Sequence, residues 1–238
     1  MLILSVESAT SAASVAILNE KGVLGESTLN FKKQHSVILM TLIDTILKDN
    51  NLTIKDIDGF VVSKGPGSFT GLRIGMATVK GLCLGLNKPL ISISTLDGLA
   101  YNELNFNGII CPIMDALRDN VFTAFYKNEN GTLKKLSEHN HVSVNELVNK
   151  IKDFDEPVIF VGDGIEKHKA FLTENVENCS FASITNNFAK ASSLGALGKE
   201  LLEKGIHDNL NECKPMYLRK SQAEREYDKK MELSNNED

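Results

Sequence analysis

Apolar residues near the start of the chain come in two short runs, Leu2-Ile3-Leu4 with Val6 and Ala13 with Val15-Ala16-Ile17-Leu18, separated by Ser8-Ala9-Thr10-Ser11-Ala12. Runs this short around small hydroxyl residues predict two strands, Leu2 to Glu7 and Ala13 to Leu18, joined by a tight turn, with Gly22 starting a third. From Ser36 the spacing becomes helical: Leu39, Leu42, Ile43, Ile46 and Leu47 share a face until Asp49-Asn50-Asn51 ends the pattern. Phe60-Val61-Val62-Ser63 predicts a buried strand. It feeds Gly65-Pro66-Gly67-Ser68-Phe69-Thr70-Gly71-Leu72-Arg73-Ile74-Gly75 and a second helix to about Leu86, followed by a strand from Leu90 to Ser94.

The second half repeats this order. Ile109 to Asp115 and Val121 to Tyr126 predict strands, Gly131 a turn, and Thr132 to Leu136 a third strand. A helix follows, opened by Ser143-Val144-Asn145-Glu146, the pattern of a capping box. Val158-Ile159-Phe160-Val161 then runs into Gly162-Asp163-Gly164 as the earlier strand runs into Gly65. The expected class is α/β: two βββαβαβα units, residues 1–105 and 106–238, with mixed sheets carrying helices on their faces. A polar tail begins at about residue 214, and the last helix has the option of packing back on the first unit. Glu7 and Asp115 close the first strand of each unit. Two such units facing across a cleft describe the duplicated actin-like fold of actin, Hsp70 and the sugar kinases.

Charge narrows the partners. With 26 Lys plus Arg against 31 Asp plus Glu, the net charge of -5 gives no overall attraction for a nucleic-acid backbone. Cys83, Cys111, Cys179 and Cys213 form no C-x-x-C pair, so reduced thiols are expected rather than a zinc knuckle or a disulfide framework. The N-terminus lacks a basic leader and no apolar run reaches the roughly 18 residues of a membrane span, which points to the cytoplasm and to no membrane partner.

The glycine segment has two readings. Between a strand and a helix, glycines let backbone approach a phosphate, yet Gly65-x-Gly67-x-x-x-Gly71 is not the dinucleotide spacing and no Lys-Ser or Lys-Thr follows. On a helical wheel Gly71, Gly75, Thr78, Gly81 and Gly85 fall on one stripe, edged by Leu72, Met76, Val79, Cys83 and Leu86, with Arg73 and Lys80 pointing away. Glycine in a helix costs about 1 kcal/mol relative to alanine, so four of them imply close packing, inside the subunit or across an interface. On the interface reading, Gly75→Leu is expected to block a partner helix and leave the monomer folded.

Catalytic patterns are thin. His35, His139, His141, His168 and His207 make no H-x-x-x-H pair and read as surface residues, so no metal set is expected. Ser68 reads as a helix cap rather than a nucleophile. Glu7 and Asp115 are candidates for paired carboxylates across a cleft, but strand-end acids also commonly accept from turn amides. No catalytic residue and no cofactor-binding residue is identified. The tail, with Lys220, Arg225, Lys229 and Lys230 among Glu224, Glu226, Asp228 and Glu232, reads as a solvated terminus.

The run Gly65 to Gly75, the opening Glu7-Ser8-Ala9-Thr10 with Ser14-Val15-Ala16, the segment Met114-Asp115-Ala116-Leu117-Arg118 and Pro215-Met216-Tyr217-Leu218-Arg219 together resemble the TsaB family, also called YeaZ. That resemblance implies an actin-like fold and a non-catalytic subunit. The subunit would act with TsaD and TsaE in threonylcarbamoyl transfer to the adenosine next to the anticodon of tRNA, activating TsaD by contact. ATP or ADP and metal would belong to TsaD and TsaE, tRNA would be met only through the complex, and the chain alone would form a homodimer. It further implies an interface on the two N-terminal-half helices: Leu39, Leu42, Ile43 and Ile46 on one, and Gly67, Phe69, Gly71, Leu72, Arg73, Gly75 and Met76 on the other. The family usually has Asp-Thr in place of Glu7-Ser8, and Asp-Ala-Arg in place of Asp115-Ala116-Leu117-Arg118. The strand-end acids and the glycine turn leave an alternative, a stand-alone kinase or ATPase working in the inter-unit cleft. A metallopeptidase would need the histidine pair the chain lacks.

Overall fold

A computed structural model describes residues 1–30 and 35–219; the tail beyond Arg219 and the side chain at the expected helix start, Ser36, lie outside the described residues. The first half runs β1 (Ile3–Glu7), β2 (Ala13–Asn19), β3 (Gly22–Leu29), α1 (His35–Asp49), β4 (Gly59–Gly65), α2 (Phe69–Leu86), β5 (Leu90–Ser94) and α3 (Thr95–Tyr101). Its sheet order is β3-β2-β1-β4-β5, with β1 antiparallel to β2 and parallel to β4, which is parallel to β5.

The second half runs β6 (Ile109–Asp115), β7 (Asn120–Thr123), β8 (Tyr126–Glu129), β9 (Thr132–Lys135), β10 (Asn140–Ser143), α4 (Val144–Ile151), β11 (Val158–Val161), α5 (Gly164–Asn175), β12 (Cys179–Phe181) and α6 (Ala191–Glu203). Here β6 takes the place of β1, parallel to β11, which is parallel to β12. The repeated order makes this the duplicated actin-like α/β fold.

One departure has a local cause. The strand expected from Val121 to Tyr126 breaks at Ala124-Phe125, because the Phe125 backbone bonds elsewhere: its N–H donates to Ser137 Oγ at 3.0 Å and its carbonyl accepts from Leu136 N at 2.7 Å. The Phe125 ring meets Phe154 edge-on at 4.9 Å in the core. The sheet therefore forks, β7 pairing with β10 and β8 with β9. The short strand β10 is too polar for its sequence to announce. The capping box before α4 is half made: Ser143 Oγ accepts from Glu146 N at 3.2 Å, while the Glu146 carboxylate pairs with Lys150 instead.

Each sheet buries one face under its own helices. Leu39, Ile43, Val79 and Cys83 pack with Leu4, Val62 and Phe60, and Leu147, Ile151, Ile165 and Leu172 pack with Ile109, Cys111 and Phe160. The other face of the first sheet is covered by α6 from the end of the chain, through Leu194 and Leu202 against Ile3, Val61, Ile91 and Ile93. Its own residues leave the α6 N-terminus uncapped, so Ala191 N donates to Ser14 Oγ at 3.2 Å and Ser192 N to the Glu26 carboxylate at 2.8 Å. Between the halves, Leu96, Leu99 and Ala100 of α3 pack with Ile110, Met114, Tyr126 and Ile159.

Candidate functional site: the glycine turn, a strap and the cleft between the halves

The glycine turn is shaped by the β1–β2 turn beneath it. A Cβ on Gly67, where φ is +157°, would stand 2.3 Å from the Ala9 carbonyl oxygen, and that carbonyl accepts from Ser68 N at 2.6 Å. The Ser68 hydroxyl caps α2, accepting from Gly71 N at 3.2 Å. Further along, a Cβ on Gly71 would lie 2.1 Å from Ser8 O and one on Gly75 would lie 2.1 Å from Ser8 Oγ. Of the two packing readings, Gly71 and Gly75 take the internal one. A leading amide that a phosphate loop would offer to an anion is held by Ala9. Gly81 and Gly85 face open space, so the stripe is divided along its length. The expectation that Gly75→Leu leaves the monomer folded is corrected by the Ser8 contact.

The residues of the expected interface separate by depth. Leu39, Leu42, Ile43 and Ile46 lie in the core under the first sheet, and Gly71, Leu72, Gly75 and Met76 are buried on the inner side of α2. Gly67 and Phe69 are half-buried and Arg73 is exposed. The outward side of α1 and α2 presents Met40, 50% exposed, and Leu84, 66% exposed, with Ala77, Gly81 and Gly85.

Residues 213–219 form a strap that runs along α2 and over the glycine turn to the second half. Lys80 Nζ donates to the Cys213 carbonyl at 3.0 Å, and Met216 N donates to Lys64 O at 2.6 Å. The Tyr217 ring stacks on Phe69 with centroids 4.6 Å apart, and Arg73 lies over Phe69 at 4.0 Å with its Nε donating to Tyr217 Oη at 3.0 Å. The Arg219 guanidinium donates to the Ala116 carbonyl in the β6–β7 turn. The four sequence motifs thus meet around one cleft of about 470 Å³, whose lining includes Thr10, Phe69, Met114, Asp115, Asp163 and Tyr217.

The strand-end acids are not partners across that cleft. Glu7 is fully buried in the first half, where its Oε1 accepts from Ala9 N at 2.5 Å. Loss of water pushes its carboxyl up to about 7, the Ala9, Ser63 and Ser8 hydrogen bonds opposing the rise. Asp115 lines the cleft, and its Oδ1 accepts from Leu117 N at 3.1 Å with Lys167 Nζ 3.6 Å away. Each acid therefore bonds the amide two residues ahead and fixes its own turn. The β6–β7 turn holds Leu117, Arg118 and Asp119 at φ of +64°, +52° and +56°, a left-handed run that side chains disfavour. Burial raises the Asp163 carboxyl above its ordinary range, against the hydrogen bond its Oδ1 accepts from Asp115 N at 3.0 Å.

Two histidines expected on the surface are inside. His139, 11% exposed, has its Nε2 at 2.9 Å from Asp97 Oδ1 and 3.0 Å from Tyr126 Oη, while the Tyr126 hydroxyl donates to Asp97 at 2.6 Å. This trio ties α3 of the first half to the second sheet. His168 is buried on α5, and loss of water lowers its pKa. Sequence spacing carried no sign of the His139 site, since its Asp97 and Tyr126 partners come from distant positions.

Residues 16–227 match the family model of TsaD, tRNA N6-adenosine threonylcarbamoyltransferase. The tRNA threonylcarbamoyladenosine biosynthesis protein TsaB of Bacillus subtilis is 33% identical over 225 residues, covering 94% of this chain and 96% of that protein. The Escherichia coli protein of the same name is 35% identical over 134 residues, 55% of this chain and 58% of that one. YeaZ from Pseudomonas aeruginosa shares the fold with a TM-score of 0.74 at 21% identity, over 91% of this chain and 99% of that one. A second Pseudomonas aeruginosa structure, of an uncharacterized protein with similarity to peptidase YeaZ, gives 0.79 at 21% identity, over 92% and 99%. Among the described residues no helix is long and apolar enough to cross a membrane.

Proposed function

Because this chain belongs to the TsaB family and takes part in tRNA threonylcarbamoyladenosine biosynthesis, we propose that it does so as a supporting subunit that activates TsaD by contact rather than as the catalyst. The observation that carries the reading is the occupation of the glycine turn by the chain itself: Ser68 N is bound to Ala9 O, and Gly71 and Gly75 close on Ser8. A turn spent on packing leaves its outer helix face for docking. The exposed Leu84 beside Gly81 and Gly85 supplies an apolar, side-chain-poor surface on which a partner helix fits closely. On this reading TsaD docks there, a second copy takes the same face when the chain is alone, and TsaE joins the pair. ATP or ADP and metal act on TsaD and TsaE, and tRNA is met through the complex. The protein is cytoplasmic.

Reconstitution tests it. A mixture of TsaD, TsaE, the carboxylating enzyme TsaC, ATP, threonine, bicarbonate and tRNA is expected to form threonylcarbamoyladenosine only when this chain is added, and this chain alone forms none. Full activity of the mixture without it removes the proposal. The cleft with Asp115 on its wall favours one alternative, a stand-alone kinase or ATPase. That reading requires binding heat on titration with Mg-ATP, whereas the supporting-subunit reading expects none.

A further inference from the structure

Arg73 is exposed at the start of α2, yet its side chain is held on two sides. Its guanidinium carbon lies 4.0 Å above the Phe69 ring, and its Nε donates to Tyr217 Oη at 3.0 Å. An exposed arginine normally loses rotamer freedom when it binds, and that loss weakens association. Here the strap has already fixed the group. With Nε engaged, the terminal pair of nitrogens remains as a planar fork, the geometry that meets a carboxylate with two parallel hydrogen bonds. Among the described residues no carboxylate lies within ion-pair distance of Arg73, and α2 itself has no acidic residue.

We infer that Arg73, positioned by Tyr217 and Phe69, is a receptor for a carboxylate of the protein that docks on α2. The inference rests on the docking reading above and names the polar contact beside its apolar face. A side-chain carboxylate of a protein fits better than an RNA phosphate. Leu84, Ala77 and the bare Gly81 and Gly85 extend along the same helix, Lys80 is spent on the Cys213 carbonyl, and the chain carries a net charge of -5. Phosphate backbones are bound by several cations together. Tyr217 enters as a positioning residue: its ring and hydroxyl hold the guanidinium, and the strap links that contact to the cleft wall at Ala116.

The experiment uses the full chain and purified TsaD, with binding followed by biolayer interferometry at low and high ionic strength. Arg73→Gln is expected to weaken binding about tenfold or more and to flatten its salt dependence. Arg73→Lys recovers little of this, because an ammonium lacks the fork. Tyr217→Phe keeps the stack and loses about threefold; Tyr217→Ala loses about tenfold, and combined with Arg73→Gln it adds almost nothing, the mark of a coupled pair. Leu84→Asp separates the two readings. If it abolishes binding while Arg73→Gln binds normally, docking stands and the carboxylate receptor is wrong. If neither variant matters, the docking face itself is wrong. Unchanged TsaD affinity with weaker tRNA binding by the complex of Arg73→Gln also overturns the inference, in favour of a phosphate.

Discussion

The Ser8 hydroxyl donates to the Gly71 carbonyl at 3.0 Å and occupies the space where a side chain on Gly75 would begin, 2.1 Å from the position of its Cβ. Even one methyl group there forces the β1–β2 turn away from α2. Gly75→Ala is expected to destabilise the fold by about 1–3 kcal/mol, read as a lower urea midpoint with an unchanged slope. Ser8→Ala in the same chain recovers part of the loss, since the remaining contact is to the Ser8 Cβ at 3.3 Å. Equal stability of Gly75→Ala and the parent would mean that the turn is not clasped as described.

Gly81 makes the opposite prediction from the same helix. A Cβ there meets nothing within 4 Å, so Gly81→Ala removes backbone freedom from the unfolded chain without a clash. A gain of up to about 1 kcal/mol is expected, visible as a raised melting temperature. Gly81→Leu also folds, but on the docking reading it weakens TsaD binding.

Glu7 gives stability a pH dependence of defined sign. Its carboxyl titrates at about 7 in the fold against an ordinary 4.5, so between those values the unfolded chain releases a proton that the native chain keeps. The stability contributed by the protonated group is fully present below 4.5 and is lost as pH rises through 7, by as much as about 3 kcal/mol. Glu7→Gln keeps an acceptor for Ala9 N and removes the titration. Its denaturant midpoint is expected to fall less than the parent's over that window and to exceed it above neutral pH.

Tyr126 is buried, and its hydroxyl joins two polar groups. Tyr126→Phe keeps the ring and leaves Asp97 with His139 alone, at an expected loss of about 1–2 kcal/mol. Hydrogen exchange should then quicken in both α3 and β8, because the trio spans the halves. Acceleration confined to β8 would show that the tie carries no inter-half stability.

How far the chain could be read follows from the range of the forces involved. The period of Leu39, Leu42, Ile43 and Ile46 and the short apolar runs of β1 and β2 are local signals, and both sets are buried. Ser68 as a cap was legible for the same reason, as were Glu7 and Asp115 as acceptors for their own turns. The break in the strand after Thr123 was not, because the backbone of Phe125 is claimed by Leu136 and Ser137. The glycine stripe was seen as one surface, but only its first half meets Ser8, which the β1–β2 turn delivers from sixty-odd positions away. The strap was present in the sequence as a motif without a location; its place depends on Arg73, Phe69 and Ala116 arriving from both halves.

The helix α6 has a consequence for how the molecule comes together. Ile3, Val61, Ile91 and Ile93 belong to the first repeat, yet Leu194 and Leu202, which cover them, come from the far end of the second. A chain cut between the repeats would keep every strand of the first sheet and lose the roof over half of it. The boundary that the repeats mark in the sequence is thus no boundary in cooperativity: the two halves are expected to melt in one transition, and the first repeat expressed by itself to aggregate through the uncovered face.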